Sequence, residues 1–158
     1  MSGRPTTVPP FERPLVDGEL TVRPFVAADR DALIAGRDAA FRRFLAEASA
    51  EPAPMACLSV GGTVVGWIDA DADDRHWLAD DEVNVGYNVF PDHRGRGYGT
   101  RALRLLSHWL RAQDPPRVPT LLIDPDNEPS LAVAGRAGFH AVAEVDGERL
   151  FKPAVGGT

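Results

Sequence analysis

Apolar and polar residues alternate with two different periods around the middle of the chain, and these periods predict a strand followed by a helix. Residues 83–90 alternate at every second position, as in a strand with one buried face. From Thr100 to Leu110, apolar side chains recur three and four positions apart, as in an amphipathic helix. Pro91 ends the strand, because proline has no N–H to donate to a neighbouring strand. A short loop rich in glycine and arginine joins the two elements.

The other segments predict a similar mixture of strands and helices. Gly61-Gly62 and Asp146-Gly147 are typical hairpin turns. The expected order is β-α-α-β-β-β-α-β-α-β-β, a mixed α/β fold with a largely antiparallel first half and one crossover helix. The predicted strands are 20–23, 55–60, 63–70, 118–123, 140–145 and 148–152, and the predicted helices are 27–35, 38–48 and 127–137.

Composition limits the class of protein. A chain of 158 residues with 44% apolar residues can form one domain with a substantial core. We expect an irregular, proline-rich arm over residues 1–17, a single domain over 18–153 and a flexible tail over 154–158. No apolar run could span a membrane, the first residues do not resemble a secretory signal, and one cysteine, Cys57, excludes an internal disulfide. We therefore expect a cytoplasmic protein with no membrane partner.

Charge separates the central loop from the rest of the chain. The net charge of −6 argues against nucleic acid as the main partner. The loop nevertheless carries Arg94, Arg96 and Arg101, whose charges suit phosphate oxygens. A glycine-rich turn that opens a helix presents free N–H groups and the positive end of the helix dipole, which favour phosphate. The alternative is a plain strand-to-helix turn, and the three arginines favour the phosphate interpretation.

Two familiar phosphate loops and two kinds of metal site do not fit the sequence. A P-loop has Lys-Ser/Thr after its last glycine, whereas Thr100-Arg101 follow Gly99 here. The dinucleotide fingerprint has the spacing G-x-G-x-x-G, whereas this loop has G-x-G-x-G. The acidic residues over 69–74 lack the glycine and glutamate of a calcium loop, and the histidines lack zinc-ligand spacing. We expect no metal.

Three segments of the chain carry a family resemblance. They are VGYNVFP at 85–91, RGRGYG at 94–99, and NEPS at 127–130 followed by AGF at 137–139. Together they resemble the GNAT superfamily of acetyl-CoA-dependent N-acetyltransferases, whose R/Q-x-x-G-x-G/A loop residues 94–99 match. With LTVRP at 20–24, the chain is most similar to the branch that contains the ribosomal-protein N-terminal acetyltransferases.

The resemblance implies a fold, a co-substrate and a binding site. The fold would be a mostly antiparallel central sheet, flanked by helices, whose two central strands splay apart. Acetyl-CoA would place its pyrophosphate on the main chain of the loop and its pantetheine arm along the central strand, where the Val89 N–H could meet the oxyanion. The cofactor-binding residues would be Val89, Phe90, Arg94, Gly95, Arg96, Gly97, Tyr98, Gly99, Thr100 and Asn127.

The resemblance also implies direct attack of a primary amine on the thioester, which needs a general base. In the similar branch a glutamate often stands where this chain has Asn84, and asparagine cannot take a proton. Glu82 lies two residues earlier on the same face of the predicted strand, so we nominate Glu82, acting through a water. A solvated glutamate at a strand end is an equally good interpretation. Asp69 and Asp124 are further candidates, and a weakly basic substrate would need no dedicated base, with solvent taking the proton.

The general acid departs from the commoner pattern of the superfamily. Many members have a tyrosine at the position of Ala134, whereas the similar branch offers a serine, matched here by Ser130. We nominate Ser130, although a hydroxyl in a first helical turn also satisfies backbone groups. Asn84 and Ala134 favour a rival interpretation, a non-catalytic acyl-CoA-binding module. The sequence leaves open whether the amine belongs to a protein N-terminus or a small molecule, and whether the chain forms a homodimer.

Overall fold

A computed structural model of the protein describes residues 11–45, 50–72 and 75–154. Its eight strands form one sheet in the order β1-β2-β3-β4-β5-β6-β8-β7, which confirms the predicted mixed α/β class. Within the described residues, no helix is both long and apolar enough to cross a membrane. The strands are β1 (Leu15–Asp17), β2 (Leu20–Pro24), β3 (Ala56–Val60), β4 (Thr63–Asp71), β5 (Glu82–Val89), β6 (Val118–Ile123), β7 (Phe139–Val145) and β8 (Glu148–Pro153). The helices are α1 (Arg30–Ala35), α2 (Ala39–Phe44), α3 (Tyr98–Arg111) and α4 (Glu128–Arg136).

The predicted elements are present, with one strand added. Leu15–Asp17, which the sequence assigns to an irregular arm, pairs antiparallel with β2 through a turn at Gly18, whose φ is 59°. A strand of three residues is too short to show a period, which is why the pattern misses it. Helix α3 begins two residues earlier than Thr100, and α2 ends at Phe44. The rest of the predicted second helix, 46–48, lies outside the described residues, as do 1–10 of the arm and 155–158 of the tail.

Residues 11–69 and 87–105 form one compact unit. Strands β1 to β4 follow one another as antiparallel neighbours in this unit. Its core contains the fully buried side chains Leu20, Val22, Leu58 and Ile68. A further cluster joins Leu33, Cys57 and Phe90, with Phe25, Val64 and Trp67 packed against it.

Gly36, at the end of α1, allows the Phe90 ring to reach this cluster. A Cβ at Gly36 would lie 2.3 Å from the Phe90 ring, so only glycine leaves room for the aromatic side chain. Phe90 directly follows β5 and is 8% exposed. The end of β5 and the end of α1 are therefore packed together within this unit.

Residues 70–86 and 106–154 form the second compact unit. Here β5 pairs in parallel with β6 from Glu82↔Val118 to Asn84↔Thr120. Strand β6 continues to Ile123, but from Leu121 onward its ladder is with β8. Within the described residues, the β5–β6 ladder therefore includes the first three residues of β5.

The helix that follows the loop buries the predicted face. Ala102, Leu103, Leu106 and Leu110 are fully buried, whereas Arg104 and Arg111 are exposed. Trp109, predicted to belong to the buried face, is half-buried. The period of apolar residues along α3 was therefore a reliable guide to its orientation.

A partly buried ion pair lies at the start of α1. The Arg23 guanidinium donates two hydrogen bonds to the Asp29 carboxylate, at 2.8 and 2.9 Å, and the Val26 N–H donates a third at 3.0 Å. The hydrogen bond from Arg23 lowers the pKa of Asp29 from its ordinary 3.8 to about 2. Burial raises the pKa of the neighbouring Cys57 thiol to about 12, which removes Cys57 as an acyl carrier at neutral pH.

The Asp29 ion pair predicts a component of stability that depends on pH. Because the folded-state pKa is lowered, this component is complete above the unfolded-state pKa, near ~3.9, and is lost as the pH falls towards 2. We expect Asp29→Asn to lower the free energy of unfolding by about 2 kcal/mol at pH 6 and by much less near pH 2. Urea denaturation at several pH values measures this difference. Asp31→Asn, at an exposed position of α1, is the control, and a loss that does not vary with pH would contradict the assignment.

Candidate active site

The predicted phosphate loop presents its main chain to open space. Gly95 and Gly97 have φ values of 77° and 81°, in the left-handed region that favours glycine. A side chain added at either glycine would have no atom within 4 Å of its Cβ. Helix α3 starts directly afterwards, and its first intrahelical hydrogen bond runs from the Arg101 N–H to the Gly97 carbonyl at 3.0 Å. A ligand therefore has room to approach the backbone at both glycines.

The first turn of α3 offers N–H groups rather than side chains. Because the helix begins at Tyr98, the N–H groups of Tyr98, Gly99 and Thr100 have no carbonyl acceptor within it. The side chains of Tyr98 and Thr100 are 7% and 6% exposed. Any anion at this helix start would thus be held mainly by the main chain and the positive end of the helix dipole.

Arg94 is exposed, but its guanidinium is engaged by neighbouring groups of the fold. Its Nε donates to the Val89 carbonyl at 2.8 Å, and its Nη1 lies 2.6 Å from Asp38 Oδ2. Its Nη2 donates to Asp38 Oδ1 and to Asn88 Oδ1, both at 3.3 Å. The charge expected to face phosphate is paired with a carboxylate of the same unit.

Arg101 is also paired. Its guanidinium donates to the Asp17 carboxylate and to Glu19, both at 2.8 Å, and to the Asp17 carbonyl. The hydrogen bond from Arg101 lowers the pKa of Glu19. These partners are 84 and 82 positions away in sequence, so no local pattern could reveal them. Arg101 holds the β1–β2 turn to the first turn of α3.

Arg96 differs from the other two arginines. It is exposed, and among the described residues no hydrogen bond or ion pair engages its side chain. Arg94 and Arg101 are paired with carboxylates, so of these three arginines Arg96 is the one without a charged partner among the described residues.

At the end of the central strand, both the N–H and the ring of Phe90 are engaged within the fold. Its N–H donates to the Val65 carbonyl of β4 at 2.8 Å, and its ring lies in the core cluster. Successive backbone groups of a strand point to opposite edges, so the N–H and carbonyl of Val89 point away from β4. The Val89 carbonyl accepts from the Arg94 Nε, and the Val89 N–H points to the same edge.

The contacts of Glu82 argue against its nomination as general base. Glu82 is 6% exposed, its Oε1 accepts from the Ala79 N–H at 2.8 Å, and its Oε2 lies 2.5 Å from Lys152 Nζ. Both carboxylate oxygens are therefore already engaged inside the fold, one by a backbone N–H and one by an ammonium group. The alternation of apolar and polar residues along β5 predicted which face of the strand carries Glu82. It could not reveal Lys152 on β8 as the partner of that side chain.

Helix α4 carries the other nominated residues. Asn127 Oδ1 accepts from the Ser130 N–H at 3.4 Å, so Asn127 caps the helix. Ser130 is half-buried in the first turn. Ala134, at the position where many family members have a tyrosine, is fully buried and leaves no room for a larger side chain without repacking.

The remaining carboxylates have local uses. Asp69 accepts from the Met55 N–H, and Asp124 accepts from the Asp126 N–H, both at 2.8 Å. Sequence reasoning missed Glu148, whose pKa is raised by burial and by the nearby Asp124 and Asp146 carboxylates. Glu148 and Asp124 are far apart in the sequence, so no local pattern indicated that they lie near each other. Within the described residues, no three potential metal ligands lie close enough together to hold an ion.

Comparison with known proteins places these features in a family. Residues 22–139 match the family described as Acetyltransferase (GNAT) family. No curated protein sequence matches the chain significantly.

Solved structures share the fold at low sequence identity. An acetyltransferase of the GNAT family from Bacillus anthracis is 14% identical, with a TM-score of 0.72 over 89% of this chain and 97% of that one. The aminoglycoside acetyltransferase AAC(6')-Ib, in complex with coenzyme A and kanamycin, is 16% identical, with a TM-score of 0.72 over 84% and 92%. Mycobacterium smegmatis RimJ, in complex with CoA-disulfide, is 20% identical, with a TM-score of 0.63 over 84% and 80%.

The contacts of Glu82 predict that it contributes to stability. Glu82→Gln leaves the Lys152 ammonium without its partner, so we expect the free energy of unfolding to fall by roughly 1–3 kcal/mol. Lys152→Met should be coupled to it, with the double variant losing less than the sum of the two single losses. Denaturant melts measure the cycle, and Asp81→Asn, at an exposed neighbouring position, is the control. A fully stable Glu82→Gln protein would contradict this role and restore Glu82 as a candidate base.

Proposed function

Because the chain belongs to the GNAT acetyltransferase family, we propose that it transfers the acetyl group of acetyl-CoA to a primary amine by direct attack on the thioester. The observation that carries the proposal is the open backbone from Gly95 to Thr100. It combines two glycines at positive φ with first-turn N–H groups that have no acceptor within the helix, and no described residue comes within 4 Å of a Cβ built at either glycine. This arrangement suits the pyrophosphate of coenzyme A.

The residues around the loop fit this co-substrate, although Arg94 and Arg101 are already paired with carboxylates. Main-chain N–H groups from 95 to 100 would hold the pyrophosphate, and the exposed Arg96 would add a positive charge. The Val89 N–H points away from β4 and would polarise the thioester carbonyl. Acetyl-CoA would supply the activated acyl group itself.

The contacts of the candidate general bases indicate which kind of amine accepts the acetyl group. Glu82, Asp69 and Asp124 each accept a backbone hydrogen bond, and Glu82 is also paired with Lys152. An amine that is already neutral needs no strong base. At pH 7.5 roughly a third of peptide α-amino groups are neutral, against roughly 0.1% of alkyl amines such as lysine, from their ordinary pKa values. We therefore propose a protein or peptide N-terminus, which agrees with the resemblance to the ribosomal-protein branch.

With a neutral amine as the acceptor, the reaction needs no strong general base from the protein. The amine nitrogen forms a bond to the acetyl carbon, the carbon–sulfur bond breaks, and water takes the proton from nitrogen. Ser130 remains the proposed proton donor to the leaving thiolate, whose ordinary pKa near ~8.5 makes it a good leaving group. Loss of Ser130 should consequently slow the reaction only modestly.

A non-catalytic acyl-CoA-binding module is the second candidate. Two observations favour it: Ala134 replaces the commoner tyrosine, and the nominated base is paired with Lys152. Release of free thiol from acetyl-CoA in the presence of peptide amines distinguishes the two functions. A module would bind acetyl-CoA without releasing thiol.

We expect Gly97→Val to abolish coenzyme A binding. The added side chain would fill the open space in front of the backbone and would oppose a φ of 81°. Arg96→Ala should weaken binding only partly, because the main chain supplies most contacts. Titration calorimetry with coenzyme A measures both variants.

The control for Gly97→Val is Gly62→Val in the β3–β4 turn. Gly62 has a φ of 82° and equally open space, so valine meets a similar backbone strain away from the loop. Both variants should lose similar stability, and only Gly97→Val should lose binding. Unchanged affinity in a folded Gly97→Val protein would remove the loop from the proposed site.

The acceptor proposal predicts a particular pH dependence. With a peptide whose only amine is its N-terminus, the rate should rise with pH and level off near pH 8, following the neutral amine. With an N-acetylated lysine peptide it should still rise tenfold per pH unit at pH 9, since its amine has a pKa near ~10.4. Thiol release over pH 6–9 measures both. A faster lysine reaction at pH 7 would overturn the choice of acceptor.

A further inference from the structure

The loop is tied to α2 through the first of its arginines. We propose that Arg94, Asp38 and Asn88 are positioning residues, which hold the phosphate loop in its binding conformation without touching the phosphates. This inference rests on the proposed function of the loop. It assigns roles to Asp38 and Asn88, which no sequence pattern had singled out.

The guanidinium of Arg94 closes the segment that leads from β5 into the loop. It reaches back five residues to the Val89 carbonyl and, at the same time, meets both oxygens of Asp38. The planar fork of arginine donates in fixed directions, so a guanidinium held at several points also fixes the residue that carries it. Gly95 follows directly, and with Gly97 it gives the loop its two left-handed residues.

Asp38 has two tasks at the start of α2. Its Oδ1 accepts from the Phe41 N–H at 2.9 Å, which caps the helix, while its Oδ2 binds Arg94. The hydrogen bond from Arg94 lowers the pKa of Asp38, so the carboxylate stays charged at neutral pH. The side chains of Arg94 and Asp38 are 37% and 29% exposed, and a pair exposed to this extent adds little to overall stability. The contribution of this ion pair is to fix the position of Arg94.

Asn88 supplies the most informative contact of the three. It is 8% exposed, its Oδ1 accepts from Arg94, and its Nδ2 is buried without a hydrogen-bond partner among the described residues. A buried donor without an acceptor costs stability, so an apolar residue would suit the fold at least as well. The amide oxygen of Asn88 accepts a hydrogen bond from Arg94, which leucine at this position could not do.

Loss of the contacts that hold Arg94 should therefore weaken coenzyme A binding. The loop contains two glycines with open surroundings, and without Arg94 fixed it would sample other conformations before each binding event. Ordering even one such residue again costs enough to weaken coenzyme A binding roughly tenfold. The KM for acetyl-CoA should rise by a similar factor, while kcat at saturating acetyl-CoA should stay unchanged.

Asp38→Asn separates positioning from direct phosphate binding, because the two roles predict opposite signs. Asparagine caps helices as well as aspartate does, so α2 is preserved while the ion pair is lost. If Arg94 is a positioning residue, coenzyme A should bind roughly tenfold more weakly. If Arg94 is a phosphate ligand that Asp38 merely holds back, freeing it should tighten binding. Calorimetry with coenzyme A reads the sign, and Asp31→Asn is the matched control.

Asn88→Leu provides a readout that a purely structural residue would not give. We expect it to keep or raise the free energy of unfolding while weakening coenzyme A binding. Arg94→Met should weaken binding without changing its dependence on salt, whereas removing a phosphate ligand would reduce that dependence. Adding Asp38→Asn to Arg94→Met should have little further effect.

The outcomes distinguish this inference from the proposed function. If folded Gly97→Val still binds coenzyme A, the loop is not the site and both proposals fail. If Gly97→Val abolishes binding but Asp38→Asn binds equally well or more tightly, only the positioning role is overturned. A fall in affinity with Asp38→Asn and Asn88→Leu, at unchanged kcat, supports the inference.

Discussion

The candidate site depends on a constraint that every α-helix carries: its first turn has N–H groups that the helix itself cannot satisfy. In this chain those groups belong to α3, and two glycines at positive φ lead the backbone into it without covering them. The surrounding structure keeps this helix start open. The buried face of α3 fixes the helix axis, and the side chains of Tyr98 and Thr100 turn inward.

Ion pairs within the chain decide which charges remain for a ligand. Arg94 is paired with Asp38, and Arg101 with Asp17 and Glu19, so each cation acts between parts of the fold. Arg96 keeps its charge available within the described structure. Affinity for an anion at this loop would thus come from directed backbone dipoles more than from net positive charge, which is consistent with a protein of net charge −6.

Sequence periodicity was sufficient for most of the fold because burial repeats with the geometry of each element. It located β5, α3 and the turns at Gly61 and Asp146, but missed β1, which has no room for a period. The candidate site was predictable where it depends on local glycine spacing. The ion-pair partners of Arg94, Arg101 and Glu82 could not be predicted, because each pair joins residues 56 to 84 positions apart in the sequence. Side-chain partners of that kind follow from tertiary packing, which the local pattern does not contain.

Cys57 has a practical consequence for work on this protein. It is the only cysteine, it is fully buried, and its thiol remains protonated at neutral pH because burial raises its pKa. Thiol-specific dyes react with thiolates, so the native protein should contribute almost no background signal. Free coenzyme A released in solution could then be counted directly in the presence of the protein. Labelling of Cys57 itself would instead report the moment when the core around Leu33 and Phe90 opens.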